Sequence, residues 1–361
     1  MLRFLGGEKM KPIGILSTII SIILAVSLLF TSLPINSYAD LQEPSSQEDI
    51  GSSYDMEEES DPEEITSEPS ITDDEDDDPG MTLEVSDISG EDETLREEAS
   101  KQFLMTNGDH LLVSYETTVH YPAADGSWKE IDNTLVKTAG DKEDPLERYE
   151  TTEGPVRYAF AAETEGKDDY LVKAARGEAS LRFSLEGEKN SANAELLEKE
   201  KKEKGSLSEF LEAEKASAGI RYEEILPETD LAYTVTGPDL KEQIVIRKQQ
   251  ETYEYRFRID LSGMTVEEAE DEAGDKCYHF IEEESEEVLF TMPAMYLFDS
   301  MGHVSDGVVT ELEELEEPGS FLLTITADAD WMNAEERAFP VTLDPTLESR
   351  STSTGSESRI V

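Results

Sequence analysis

Between residues 291 and 346 the chain alternates with period two, twice over, and this limits the possible folds more than any other feature. Phe321, Leu323 and Ile325 alternate with Leu322, Thr324 and Thr326; Phe339, Val341 and Leu343 alternate again further on. Period two sends successive side chains to opposite faces of a strand, so one face can be buried while the other stays wet. Asp328 and Asp330 break the first strand. Residues 333–337 are expected to make one helical turn capped by Asn333. Trp331, a large aromatic beside a turn, is expected to be largely buried and to plug one end of a core. Pro345 should end the second strand, because it has no N–H to donate to a ladder.

The same pattern recurs upstream. Tyr253, Tyr255, Phe257 and Ile259 alternate with Glu254, Arg256 and Arg258, the cleanest amphipathic strand in the chain. Further strands are expected at 111–121, 128–133, 156–161, 170–174, 181–185, 220–222, 231–235, 242–247, 277–282 and 288–291. Asp125-Gly126 is a hairpin signal between two of them. The fold class that follows is mainly all-β, with antiparallel strands in one or two sandwich-like units. Two helical segments interrupt it. Leu95, Ala99 and Phe103 recur at i, i+4, i+8 and predict a short leading helix over 91–105. The Glu-, Lys- and Ala-rich stretch 190–219 predicts a charged helical connector.

Charge divides the N-terminal part. Residues 1–39 read as an export signal: Lys9 and Lys11, an uncharged apolar run over 13–30, then Ser37-Tyr38-Ala39 before Asp40. The run is also long enough to span a bilayer, so an uncleaved anchor is the alternative reading; the Ser-x-Ala site favours cleavage. Residues 40–95 hold 23 acidic residues and no Lys or Arg, the composition of a disordered, self-repelling linker. The domain plan is then a first β unit over 96–189, the connector, a second β unit over 220–346, and a disordered tail over 347–361.

Composition also excludes functions. The net charge of −55, from 85 acidic and 30 basic residues, repels phosphate backbones and anionic lipid, so neither nucleic acid nor a membrane surface is an expected partner. Weak, diffuse calcium association is compatible with the acidic runs, but no EF-hand spacing appears. The single cysteine, Cys277, rules out an internal disulfide and a four-cysteine zinc site. Cys277 and His279 could share a strand face, and the structural reading is an inert buried thiol. His120 near Asp125 and Asp132 lacks a nucleophile and reads as a hairpin histidine. Leu226-Pro-Glu-Thr-Asp230 looks like a sortase signal, but no apolar helix and basic tail follow it. No phosphate loop, nucleophile elbow or zinc-helix motif is present. The expected sets of catalytic, cofactor-binding and metal-binding residues are therefore all empty, and no cofactor is implied.

Three blocks carry a resemblance. The first holds Glu97-Glu98, Lys101, Phe103, Tyr115, Val119-His120-Tyr121, Asp125-Gly126, Trp128 and Ile131-Asp132-Asn133-Thr134-Leu135. The second runs from Leu226 through Tyr233 and Gly237 to Ile246. The third holds Met292-Pro293-Ala294-Met295, Phe298-Asp299, Asp328, Trp331, Arg337 and Phe339-Pro340-Val341-Thr342-Leu343-Asp344. Together they resemble the N-terminal region of secreted, wall-associated YD-repeat (RHS-type) and DNRLRE-domain proteins of Gram-positive bacteria. The resemblance implies a secreted, non-enzymatic, wall-associated β region. Its expected partners are the cell wall or downstream domains of a longer protein, which in such families often end in a toxin; here the sequence stops soon after the third block. Two alternatives stay open: a secreted carbohydrate-active or glycan-binding protein, and a calcium-dependent adhesin.

Overall fold

Antiparallel pairing between sequence neighbours builds most of the molecule. The computed structural model describes the backbone of 3–5 and residues 83–139, 146–164, 170–187, 190–199, 202 and 204–350. The expected export signal, save 3–5, and most of the acidic linker lie outside these residues.

Two large sheets dominate. In the first, eight strands lie in the order Val308–Glu314, Ser320–Ala327, Glu254–Ser262, Ala179–Leu185, Val172–Arg176, Arg157–Ala161, Arg148–Glu153 and Asp132–Thr138. The second is centred on Ser217–Leu226, Thr229–Thr236 and Asp239–Ile246. It continues through Thr346–Ser349 into Val288–Met292, Lys276–Glu282 and Met264–Glu270, with Val341–Asp344 and Tyr296–Asp299 branching from Asp239–Ile246. Both sheets send one face into a single apolar cluster. Tyr255, Phe257, Ile259, Leu323 and Ile325 enter it from the first sheet, and Tyr222, Leu231, Tyr233, Ile244 and Leu343 from the second. The alternation at 253–259 and 321–326 therefore marks true core strands, paired with each other from Tyr255↔Ile325 to Ile259↔Phe321. The expected all-β, antiparallel class is what the structure shows.

The expected division into two β units does not appear as separate sheets. Ala179–Leu185, from the first unit, pairs with Glu254–Ser262, from the second. The 190–219 stretch is not a helical connector. Ala192–Leu196 is a strand paired onto Ser217–Leu226, and the only α-helix there among the described residues is Leu207–Phe210, capped by the Ser206 hydroxyl. Helix propensity is a weak prior, and an open sheet edge overrides it: Ala194 lies opposite the fully buried Tyr222.

The leading helix over 91–105 is likewise absent. Ile88–Glu91 and Ser100–Met105 are strands, separated by a 3-10 turn at Glu93–Leu95. A spacing of four satisfies period two as well as period 3.6, so Leu95, Ala99 and Phe103 could not discriminate between them. The discriminating signal was Asn107-Gly108, with Gly108 at φ 91°, which turns Ser100–Met105 back into His110–Ser114. The expected linker boundary at 95 does not hold, since Ile88 is buried opposite Met105. At the other end, Thr346–Ser349 is a strand and Leu347 is 3% exposed, so the expected tail boundary at 347 does not hold either. Pro345 does interrupt pairing, but its carbonyl accepts from Glu242 N at 2.9 Å and the chain resumes as strand beyond it.

Candidate functional sites at three buried ionic clusters

The three blocks singled out in the sequence each fold around at least one carboxylate paired with a basic side chain. The one that meets the most donors is Asp299, the last residue of Tyr296–Asp299, where Gly302 (φ 84°) lets the chain turn. Its Oδ1 accepts from the backbone N–H groups of Met301 and His303, both at 2.9 Å. Oδ2 accepts from an Arg337 guanidinium N–H at 2.8 Å and from Ala338 N at 3.3 Å, and lies 2.9 Å from His303 Nδ1. Burial pushes the Asp299 carboxyl up, but the donors from His303, Ala338 and Arg337 outweigh it and hold its pKa well below the usual carboxylate range. Arg337 also donates to Trp331 O at 3.0 Å and lies 3.4 Å above the Trp331 ring.

This arrangement corrects the expectation for Trp331. It is only half-buried, and its neighbour Met332 is the residue with no exposure. The short helix is Ala329–Met332, capped by Asp328 accepting from Asp330 N at 2.9 Å; Asn333 ends the helix instead of starting one. The Asp-x-x-Trp spacing therefore encodes a cap followed by a cation–π platform.

Asp230, the acid of the sortase-like motif, is fully buried in the second block. It accepts from Arg221 at 2.5 Å and from Glu224 N at 2.7 Å, with Arg247 3.7 Å away. The register shifts between Tyr222 and Leu226, and Glu224 adopts φ 50°. Asp230 thus fills the irregularity it faces, and the motif is part of a hairpin with Leu226 opposite Thr229.

The first block gathers Glu91, Arg96, Lys101, His120 and Glu130. Arg96 Nε donates to Glu91 at 2.6 Å, and the Lys101 ammonium bonds Glu130 and stands 3.9 Å from Glu91. His120 is fully buried, its Nδ1 2.7 Å from Glu97 O and its Nε2 3.8 Å from Glu91. Burial, with Arg96 and Lys101 adding, pushes the imidazole pKa down. Neither aspartate considered with His120 acts on it. Asp125 accepts from Ser127 N and Oγ in its own turn, and Asp132 accepts from Thr134 N and pairs with Lys215 at 3.4 Å. Asn133 beside it is 1% exposed and donates to Ala216 O at 2.7 Å and Gly237 O at 2.8 Å.

Cys277 Sγ lies 3.8 Å from His279 Nε2, and burial pushes the thiol pKa up, away from a nucleophile's range. No group of three His, Cys, Asp or Glu among the described residues is placed to hold a metal. Sequence reading missed one polar feature. Glu242 sits in phase with the core-facing Leu240, Ile244 and Ile246, and accepts from the buried Tyr233 hydroxyl at 2.6 Å. Burial pushes its pKa up to about 7, and that of Asp239 nearby to about 6. A carboxylate on the apolar phase of a strand was the available signal.

Fold and clusters define an antiparallel β-sandwich protein whose marked charged residues fasten turns and strands. Comparison with curated proteins narrows this. The chain is 30% identical over 135 residues to the tRNA nuclease WapA of Bacillus subtilis (strain 168). The tRNA(Glu)-specific nuclease WapA of Bacillus subtilis subsp. natto and the tRNA3(Ser)-specific nuclease WapA of Bacillus spizizenii match at the same identity and length. The match takes in 35% of this chain and 5% of each relative. No family model and no solved structure matches.

Proposed function

We propose that this chain is an exported, wall-associated structural module, a non-enzymatic β region that carries or spaces other domains. The observation that supports it most is the use of the charged residues in the three resemblance blocks. Asp299 and Asp230 are enclosed by arginines and backbone donors, and Glu91 is paired with Arg96 and Lys101. Enclosed and neutralised carboxylates hold a fold together; a general acid or base needs an open approach to substrate. The likeness to part of WapA and to wall-associated YD-repeat proteins supports the location. The tRNA nuclease activity in the relatives' names is not proposed for this stretch, because a net charge of −55 opposes approach to RNA. No helix among the described residues is long and apolar enough to cross a membrane, and the expected export signal lies almost wholly outside them.

The test is fractionation of cells expressing the chain, with N-terminal sequencing of the product. We expect it in the wall and medium fractions, beginning at Asp40. Recovery only from the cytoplasm, with residues 1–39 intact, overturns the reading. Hydrolysis of a wall glycan, lost on changing a single Asp or Glu, would replace it with an enzyme.

A further inference from the structure

One outer face of the second sheet carries an aromatic pair. Leu297, Val341, Leu343 and Ile244 point into the core, so Tyr296, Phe298, Thr342 and Asp344 share the opposite face. Tyr296 is 41% exposed, and its ring lies 6.0 Å from that of Phe298 with 35° between the planes. Val304, opposite Phe298 on the next strand, is 66% exposed and extends the apolar surface. The Tyr296 hydroxyl donates to Asp344 Oδ2 at 2.6 Å, and Lys241 Nζ reaches the same oxygen at 2.7 Å. Asp344 is 3% exposed, and its Oδ1 accepts no hydrogen bond from a described residue.

We infer that Tyr296 and Phe298 form a stacking platform for a neutral glycan, with Lys241 as a hydroxyl partner at its edge and the enclosed Asp344 holding the tyrosine in place. Tyr296 and the partly exposed Phe298 leave a small contiguous apolar patch in water. An aromatic ring presents a flat apolar face that suits the C–H face of an equatorially substituted pyranose. The Lys241 ammonium beside it is partly exposed and offers a donor to sugar hydroxyls. The Asp344 bond fixes the tyrosine ring before any ligand arrives, which lowers the ordering cost of binding. Charge selects a neutral ligand: Lys241 neutralises Asp344 locally, while the chain's negative field turns away polyanions. Size disfavours a protein partner. Two rings and one valine are far less than the roughly 800 Å² per partner of a stable protein interface.

This inference rests on the proposed wall location for its biological setting, and its test separates the two. The probe is chitohexaose, a neutral β-1,4-linked pyranose chain, titrated calorimetrically into the full chain. We expect saturable binding, weakened roughly tenfold by Phe298→Ala and by Tyr296→Ala, an order set by the stacking of one ring. Tyr296→Phe, which keeps the ring but loses the Asp344 bond, should bind more tightly than Tyr296→Ala and less tightly than the parent. All three variants should keep the parental circular dichroism spectrum. The inference is overturned if the parent fails to bind the probe, or if both alanine variants fold and bind as tightly as the parent. Wall association that persists without glycan binding also refutes the platform and leaves the structural role standing.

Discussion

Arg337 and Asp299, 38 residues apart in the chain, meet at 2.8 Å with their side chains 4% and 0% exposed. The pair joins the turn after Tyr296–Asp299 to the approach to Val341–Asp344, and these two strands are themselves paired. Removing one member of a buried pair leaves the other charged and unmatched, which typically costs 3–5 kcal/mol. Asp299→Ala is expected to lose about that much in urea unfolding, because it also strands the N–H groups of Met301 and His303. A loss under about 1 kcal/mol would show that this turn contributes little to the fold.

The pH dependence has two opposed parts. Asp299 has a depressed folded pKa, so its stabilisation is full above the unfolded value of about 4 and is lost as pH falls through the folded value. Glu242 and Asp239 have raised folded pKa values, about 7 and about 6. Their protonated forms favour the folded state, so that contribution is full below about pH 4 and is lost as pH rises through 6 and 7. Stability should therefore peak between about pH 4 and 6. Glu242→Gln should unfold like the parent near pH 4 and be more stable by about 3 kcal/mol at pH 8. Melting temperatures across this range check it; equal pH slopes for parent and variant would count against a buried Glu242 carboxyl.

Much of this fold was legible because alternation is a local signal. Tyr255 to Ile259 and Phe321 to Ile325 could be assigned strand by strand, and they pair as an amphipathic pattern requires. What stayed hidden was either ambiguous or nonlocal. Leu95, Ala99 and Phe103 fit both periods. The 190–219 composition favoured helix, while the decisive partner of Ala192–Leu196 lies beyond it at Ser217–Leu226. The ionic clusters were hidden for the second reason. Asp299, Asp230 and Lys101 were visible within their blocks, but nothing local says that an acid in one turn meets an arginine 38 residues later.

Asn133, in the strand Asp132–Thr138, makes a second tie between distant segments by reaching the turn at Gly237. The Asn133 amide donates to Ala216 O and Gly237 O, and its side chain is the donor shared by both buried segments. Asn133→Ala should cost about 2–3 kcal/mol, since two carbonyls lose a partner away from water. Gly237→Ala should also destabilise. Gly237 has φ 57°, and an added Cβ would stand 2.5 Å from Thr117 Oγ1 and 2.7 Å from Thr118 O. If both variants melt with the parent, the contact between this strand and the Gly237 turn is not formed in solution.

The last prediction reverses an order that the sequence suggested. A tryptophan between two strand patterns looks like the residue whose loss would open the core. In the structure Trp331 lies partly in solvent beneath Arg337, and the adjacent Met332 is the one that fills the interior. Truncating a fully buried methionine removes its transfer free energy and leaves a cavity, typically 2–5 kcal/mol. Truncating Trp331 removes a half-exposed ring and a cation–π contact that contributes about 0.5–2 kcal/mol. Met332→Ala should therefore lower the chemical-denaturation midpoint more than Trp331→Ala does. Arg337→Lys should reproduce part of the Trp331 effect, because an ammonium cannot both lie flat on the ring and keep the forked contacts to Trp331 O and Asp299. A larger loss from Trp331→Ala than from Met332→Ala would place the indole, not the thioether, at the centre of this end of the sandwich.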